Sequence, residues 1–318
     1  MSVEFAEKLR VLFFISVVAI IYVLAASIFV RFIIHKLGGA SRLPASRKNL
    51  WFRRIIIGLS AFGVLCFAYG YFIEPYWPEV TRISIKHQKI PGGRRPVRIV
   101  HISDIHSDPK PRLENRLSEI IAAEKPDLIV YTGDSVNSRE STSVFKECIT
   151  RISAIAPTFA IKGNWDSMIG VGADLFKDTG AQELDRKALR IEIEGVPLWI
   201  GGAPANRPFD IGQIFSAAPA NEFTLFLYHY PDAIEEAAQS RIDFYCAGHT
   251  HGGQVALPFY GAIITLSRFG KKYESGLYQL KDTWLYVNRG IGMEGGPAPR
   301  VRFCARPEIT VIELSPAE

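Results

Sequence analysis

The chain opens with two long apolar runs and then changes character. Residues 11–30 are uncharged and mostly apolar, and residues 55–73 form a second run of the same kind. At a rise of ~1.5 Å per residue each run can cross the ~30 Å hydrocarbon core of a bilayer. Neither carries the polar face of a soluble surface helix. The pattern predicts transmembrane helices over 11–34 and 55–73. Beyond residue 96 it breaks into short apolar runs of strand type, at 97–102, 127–132, 158–161, 189–193, 198–200, 223–227, 244–247, 284–287 and 309–314. Helical stretches at 112–124, 143–155 and 231–239 alternate with them. This alternation predicts α/β layering, with several strands buried on both faces. The stretch 76–96 is rich in Pro, Gly and charge and reads as a linker. The expected organisation is an anchor over 1–75, a linker over 76–96 and a globular domain over 97–318.

Charge separates the same parts. Of 37 Lys and Arg and 32 Asp and Glu, the first 80 residues hold nine and four, so the remainder carries 28 of each. The net charge of +5 therefore belongs to the anchor, and the neutral globular part gives no support for a nucleic-acid partner. Arg31, Lys36, Arg42, Arg47, Lys48, Arg53 and Arg54 lie in and around the loop between the apolar runs. Short loops rich in Lys and Arg stay cytoplasmic, which predicts both termini outside the cytoplasm. Neither run has an ionisable residue in its interior, which argues against a transporter or channel. Tyr71, Tyr76 and Trp77 suit the membrane interface. Cys66, Cys148, Cys246 and Cys304 show no paired spacing, so neither a disulfide framework nor a zinc knuckle is expected.

The candidate chemistry stands at strand ends. Five runs finish in groups able to bind metals: Asp104 and His106, then Gly133-Asp134, Gly163-Asn164, His229, and Gly248-His249-Thr250-His251. Open α/β sheets place ligand sites just beyond the carboxyl ends of their strands, so five polar tips are expected on one rim. Oxygen and imidazole donors without Cys suit divalent Mn, Fe, Zn or Co. His249 and His251, one residue apart, point the same way in an extended segment at different depths, as two adjacent ions would require. Gly133, Gly163 and Gly248, each before a ligand or ligand pair, let the backbone turn and approach a bound anion.

In order and spacing, these motifs resemble the calcineurin-like metallophosphoesterase superfamily across residues 97–254. Pro231-Asp232, Gly252-Gly253-Gln254, and Arg289-Gly290-Ile291-Gly292 leading to Pro307-Glu308-Ile309 resemble its membrane-anchored bacterial phosphodiesterase branch. That branch includes UDP-2,3-diacylglucosamine pyrophosphatases of lipid A synthesis. The resemblance implies a four-layer αββα sandwich behind two transmembrane helices in the bacterial cytoplasmic membrane. It implies two divalent ions, one held by Asp104, His106, Asp134 and His251, the other by Asp134, Asn164, His229 and His249, with Asp134 bridging. Such ions, about 3.5–4 Å apart, activate water and neutralise phosphoryl oxygens, so Asp134, Asn164 and His229 act in catalysis through the metals.

Trp165 departs from the pattern. Many members carry His there, whereas indole has no proton of useful acidity. The expected substrate is therefore a diester or pyrophosphate with a stable leaving group, in an amphipathic or lipid-linked molecule such as UDP-2,3-diacylglucosamine, met at the bilayer. That substrate is made on the cytoplasmic side, opposite to the side the basic loop assigns. The alternative is a metal-binding membrane sensor or scaffold with little hydrolytic activity. Arg289 and Arg302 are candidates to clamp a phosphate bidentately. Asp166 and His101 are expected to make structural hydrogen bonds, and Phe259, Tyr260 and Phe269 are candidates to line a lipid groove.

Overall fold

The computed structural model describes residues 2–37, 47–170, 175–294 and 300–317. Arg42 of the basic loop lies outside them. Helices α1 (Val3–Leu37) and α2 (Arg47–Phe72) are long and apolar enough to cross a membrane, and their apolar side chains face outward. They lie side by side, and the Tyr22 hydroxyl closes on Gly63 and donates to Ser60 O at 3.2 Å. An added Cβ at Gly63 would stand 2.7 Å from that hydroxyl, so the absent side chain lets the helices approach.

The expected linker is corrected in part. Its first half is strand β1 (Glu79–His87), which runs parallel to the last strand in a continuous nine-residue register. Ile83, Ile85 and His87 turn inward while Arg82, Ser84 and Lys86 face water. This is the period-2 pattern of a strand with one covered face. Only the Pro- and Gly-rich part after it is coil.

The remaining strands are β2 (Val97–Ile102), β3 (Leu128–Tyr131), β4 (Thr158–Ala160), β5 (Ala181–Glu183), β6 (Lys187–Ile193), β7 (Val196–Gly202), β8 (Phe223–Leu227), β9 (Phe244–Ala247), β10 (Ala256–Leu257), β11 (Gly261–Ala262), β12 (Gly276–Leu280), β13 (Thr283–Val287) and β14 (Glu308–Pro316). One sheet has the order β1-β14-β2-β3-β4-β5, the other β12-β13-β9-β8-β7-β6, and β10-β11 is a separate hairpin. β2 through β5 are mutually parallel, as are β7, β8, β9 and β13, so their carboxyl ends fall on common edges.

The two sheets face each other across a largely apolar layer that includes Ile99 and Val130 from one and Ile200 and Leu225 from the other. Outside the first sheet lie α3 (Glu114–Ala123) and α4 (Thr142–Ser153), which bury Leu117, Ile121, Phe145 and Ile149 against Ile102 and Tyr131. Short helices α5 (Asn164–Met168) and α6 (Ile211–Ile214) follow strand ends, and α7 (Ile234–Gln239) covers the outer face of the second sheet through Ile234 and Ala237. The result is the expected αββα sandwich. Strands flanked on both faces are continuously apolar, which is why β3 and β9 read as unbroken runs.

Candidate metal centre

The turns after β2, β3, β4, β8 and β9 converge on one point between the sheets. Asp104, His106 and His251 bring ligand atoms within 4.8 Å of one another, and so do Asp134, His229 and His249. His106 Nε2 is 3.2 Å from His251 Nε2, and His251 Nε2 is 3.3 Å from Asp104 Oδ1. Asp134 Oδ2 lies between the groups, 3.6 Å from His106 Nε2 and 3.2 Å from His229 Nε2. Asn164 Oδ1 is a buried oxygen with no hydrogen-bond partner. An orphaned amide oxygen and lone-pair atoms facing one another at this spacing are costly unless a cation sits among them. The donor set thus fits two divalent ions.

Outer contacts fix which nitrogen of each ring faces inward. His106 donates from Nδ1 to Asn137 Oδ1 at 3.1 Å, and His229 from Nδ1 to Thr132 O at 2.7 Å. His249 donates from Nε2 to Leu266 O at 3.2 Å, leaving Nδ1 for the centre. Such contacts set tautomer and ring orientation in metal sites. Asp134 Oδ1 accepts from the Trp165 main-chain N–H at 2.8 Å. Asp166 ties the strand-end turns together by accepting from the N–H groups of Asp134, Ser135 and Gly163, and His101 Nε2 meets Thr132 Oγ1 at 2.9 Å. Both are structural, as the sequence suggested.

Burial works against charge here, and neighbours decide the outcome. It holds the His106 ring down at about 3 and His249 at about 4, so both are neutral and ready to ligate. Burial also pulls His229 down, but Asp134 and Asp104 outweigh it and raise that ring to about 9. Burial pushes both carboxyls up, yet the His251 and His229 rings hold Asp104 below its ordinary value, and His229 does the same for Asp134.

The backbone is strained where the ligands sit. Asp104, His106, Asp134, His249 and His251 all have φ between 43° and 70°, a region non-glycine residues rarely occupy. Glycine acts here mainly through close approach. A Cβ at Gly248 would stand 2.0 Å from Ser103 Oγ and 2.2 Å from Asp104 Oδ2, and one at Gly163 would stand 2.0 Å from Asp134 Oδ1.

The two arginines are placed otherwise than expected. Arg302 is fully buried, and its guanidinium donates to the carbonyls of Gly292, Ala305, Arg289 and Gly290, with Nη2 also 3.3 Å from His251 Nδ1. Arg289 pairs with Glu79 and Glu308. The Arg302 donors are committed within the protein and cannot clamp a phosphate, while Arg289 is held by two carboxylates of the first sheet. Asn137, Leu266 and Glu294 were not foreseen. The Trp165 indole N–H donates to Glu294 Oε1 at 3.2 Å, its ring lies 5.7 Å from that of His106, and burial raises the Glu294 carboxyl. Nothing local in the sequence marks any of the three.

Comparison with known proteins points to one family. The calcineurin-like phosphoesterase family model matches residues 97–253. The Bacillus subtilis metallophosphoesterase YkuE is 35% identical over 264 residues, spanning 77% of this chain and 89% of that protein. The Escherichia coli phosphodiesterase YaeI is 30% identical over 268 residues, spanning 78% and 92%. The UDP-2,3-diacylglucosamine pyrophosphatase LpxG of Chlamydia trachomatis is 26% identical over 310 residues, spanning 78% and 93%.

Proposed function

The chain belongs to the calcineurin-like metallophosphoesterases, and from this premise we propose that it is a membrane-anchored hydrolase of phosphodiester or pyrophosphate bonds working with two divalent ions. The observation that carries the reading is the pair of abutting ligand groups with Asp134 Oδ2 between them. In it, Asp104, His106, Asp134 and His251 would hold one ion, and Asp134, Asn164, His229 and His249 would hold the other. Bound ions of the Mn, Fe, Zn or Co class supply Lewis-acid charge for phosphoryl oxygens and an activated water.

The chain's own residues set the rest. The Trp165 N–H and Thr132 O fix Asp134 and His229, so neither side chain reorients as charge develops. The Trp165 side chain, no acid itself, steadies Glu294 at the edge of the centre. Burial pushes this carboxyl above its ordinary value against the opposing pull of the His251 ring and the indole N–H, and in its protonated form it is placed to give a proton to a departing alkoxide. A diester with a poor leaving group then remains within reach despite the missing imidazole.

Anchorage by α1 and α2, and the likeness to LpxG, favour an amphipathic or lipid-linked substrate such as UDP-2,3-diacylglucosamine. Purified protein with Mn²⁺ is expected to hydrolyse bis(p-nitrophenyl) phosphate, and Asp134→Ala to fall to background. Equal rates in the two proteins overturn the reading. Binding of two ions without any ester hydrolysis turns it toward a membrane sensor.

A further inference from the structure

The segment that leaves His251 returns to His249, and between them it builds an apolar lip. After Gly252 and Gly253 the chain forms the β10-β11 hairpin, tipped by Pro258, Phe259 and Tyr260. It then runs to Leu266, whose carbonyl holds His249 Nε2. Phe259 is fully exposed and Leu266 is 54% exposed, and both have positive φ, at 64° and 57°. A bulky apolar residue gains nothing from water and is disfavoured in that conformation. Two of them on one loop make strain plus exposure, the mark of a surface shaped for something else.

The anchor says what that something is. Glu7 of α1 is buried and accepts from Thr265 N–H, Thr265 Oγ1 and Leu266 N–H at 3.1, 2.8 and 3.2 Å. Arg10 reaches the Tyr260 hydroxyl at 3.4 Å. Glu7 stands one turn, about 6 Å, before the apolar run that begins at Val11. On the other side, Glu74 accepts from Cys304 and Ala305 N–H directly after the second run ends at Ile73. Both helices thus grip the domain at the level where their apolar runs begin or end. The exposed Arg268 and Lys272 lie close by in sequence, beside the apolar lip. Aromatic and aliphatic side chains fringed by cations are the composition of segments lying in the headgroup layer of anionic membranes.

We propose that residues 255–270 form a bilayer-facing lip, with Phe259, Tyr260 and Leu266 seated in the headgroup layer beside α1, so that a phosphoester carried on a membrane lipid reaches the metal centre from the plane of the membrane. This rests on the anchored-phosphoesterase reading and narrows its substrate to one presented by the bilayer.

The full chain in nanodiscs containing phosphatidylglycerol tests it in two ways. Phe259→Trp in brominated lipid is expected to show quenching beyond that of the parent protein, and no added quenching overturns the proposal. In the second arm, hexadecyl p-nitrophenyl phosphate in the discs is compared with soluble bis(p-nitrophenyl) phosphate. The pair Phe259→Asn with Tyr260→Ser is expected to lose about tenfold on the first, the factor carried by half-burial of a Phe side chain, and nothing on the second. Asn suits the positive φ, so the hairpin is spared. Equal losses on both substrates, or none on either, overturn the lip. If the parent hydrolyses neither diester, the phosphoesterase reading fails while the quenching arm still decides where the lip sits.

Discussion

The atoms that point into the metal centre and the atoms that hold them there are set by different ranges of the chain. Asp104, His106, Asp134, Asn164, His229, His249 and His251 all follow strand ends within a few residues. Their holders, Thr132 O, Leu266 O, the Trp165 N–H and Asn137, each sit on a different turn from the ligand they hold, and three of these four are main-chain groups. Leu266 is in turn held by Glu7, 259 positions earlier, on an apolar helix. Which groups enter the centre is a local matter of strand plus turn. How they are aimed is a long-range matter, and the anchor has a share in it.

Trp165 tests the division most severely, because its main chain holds Asp134 and its side chain holds Glu294. Trp165→Phe keeps the first contact and removes the second. Ion uptake is expected to stay unchanged while hydrolysis of a dialkyl diester falls about 100-fold, the usual worth of a positioned acid. A p-nitrophenyl ester, whose leaving group needs no proton, is expected to be spared, and Glu294→Gln is expected to behave alike. Losses of the same size on both esters would show that the indole merely supports the fold.

The inward atoms also differ among themselves. His106 and His249 are already neutral, at about 3 and about 4, but the carboxylates around His229 raise it to about 9. Below pH 9 an incoming ion must displace that proton. Mn²⁺ affinity is therefore expected to climb with pH by about tenfold per unit and to level off above about 9, with one proton released per chain. Calorimetry in two buffers of different ionisation enthalpy measures the release. A flat profile between pH 7 and 9 would remove the distinction. Among the holders, Asn137→Ala is expected to weaken metal binding by 10–100-fold at about unchanged maximal rate once Mn²⁺ is in excess. A loss that excess metal does not restore would place Asn137 among the catalytic groups instead.

The same division explains what could be read from the sequence. The strand-end groups were legible because each is a short apolar run followed at once by its polar tip. The sandwich was legible because buried strands and amphipathic helices differ in period. β1 was obscured by the Pro, Gly and charge around it, although Ile83 and Ile85 already alternate with Arg82, Ser84 and Lys86. Arg302 and Arg289 looked like phosphate clamps because an arginine's type does not reveal its partners. Those partners are carbonyls near Gly292 and the carboxylates of Glu79 and Glu308. Leu266 and Thr132 were invisible for a simpler reason: they act through carbonyls, which every residue has.

Glu7 gives the smallest expected effect and the sharpest test of whether the anchor reaches the centre. Glu7→Gln keeps one accepting oxygen but puts an amide NH₂ where a carboxylate oxygen met an N–H. One buried hydrogen bond is then lost, worth about 1 kcal/mol. Part of that loss passes through Leu266 O directly to the His249 ring, and Asp104 lies one bond further on, behind the His249 main-chain N–H. The expected outcome is a weakening of about threefold in one of two Mn²⁺ sites, seen as the splitting of two binding steps that lie closer together in the parent. Equal weakening of both sites would mean that Glu7 only stabilises the fold. No change in either would mean that the Leu266 carbonyl stays in place without the anchor, and that the helix holds the domain without touching its chemistry.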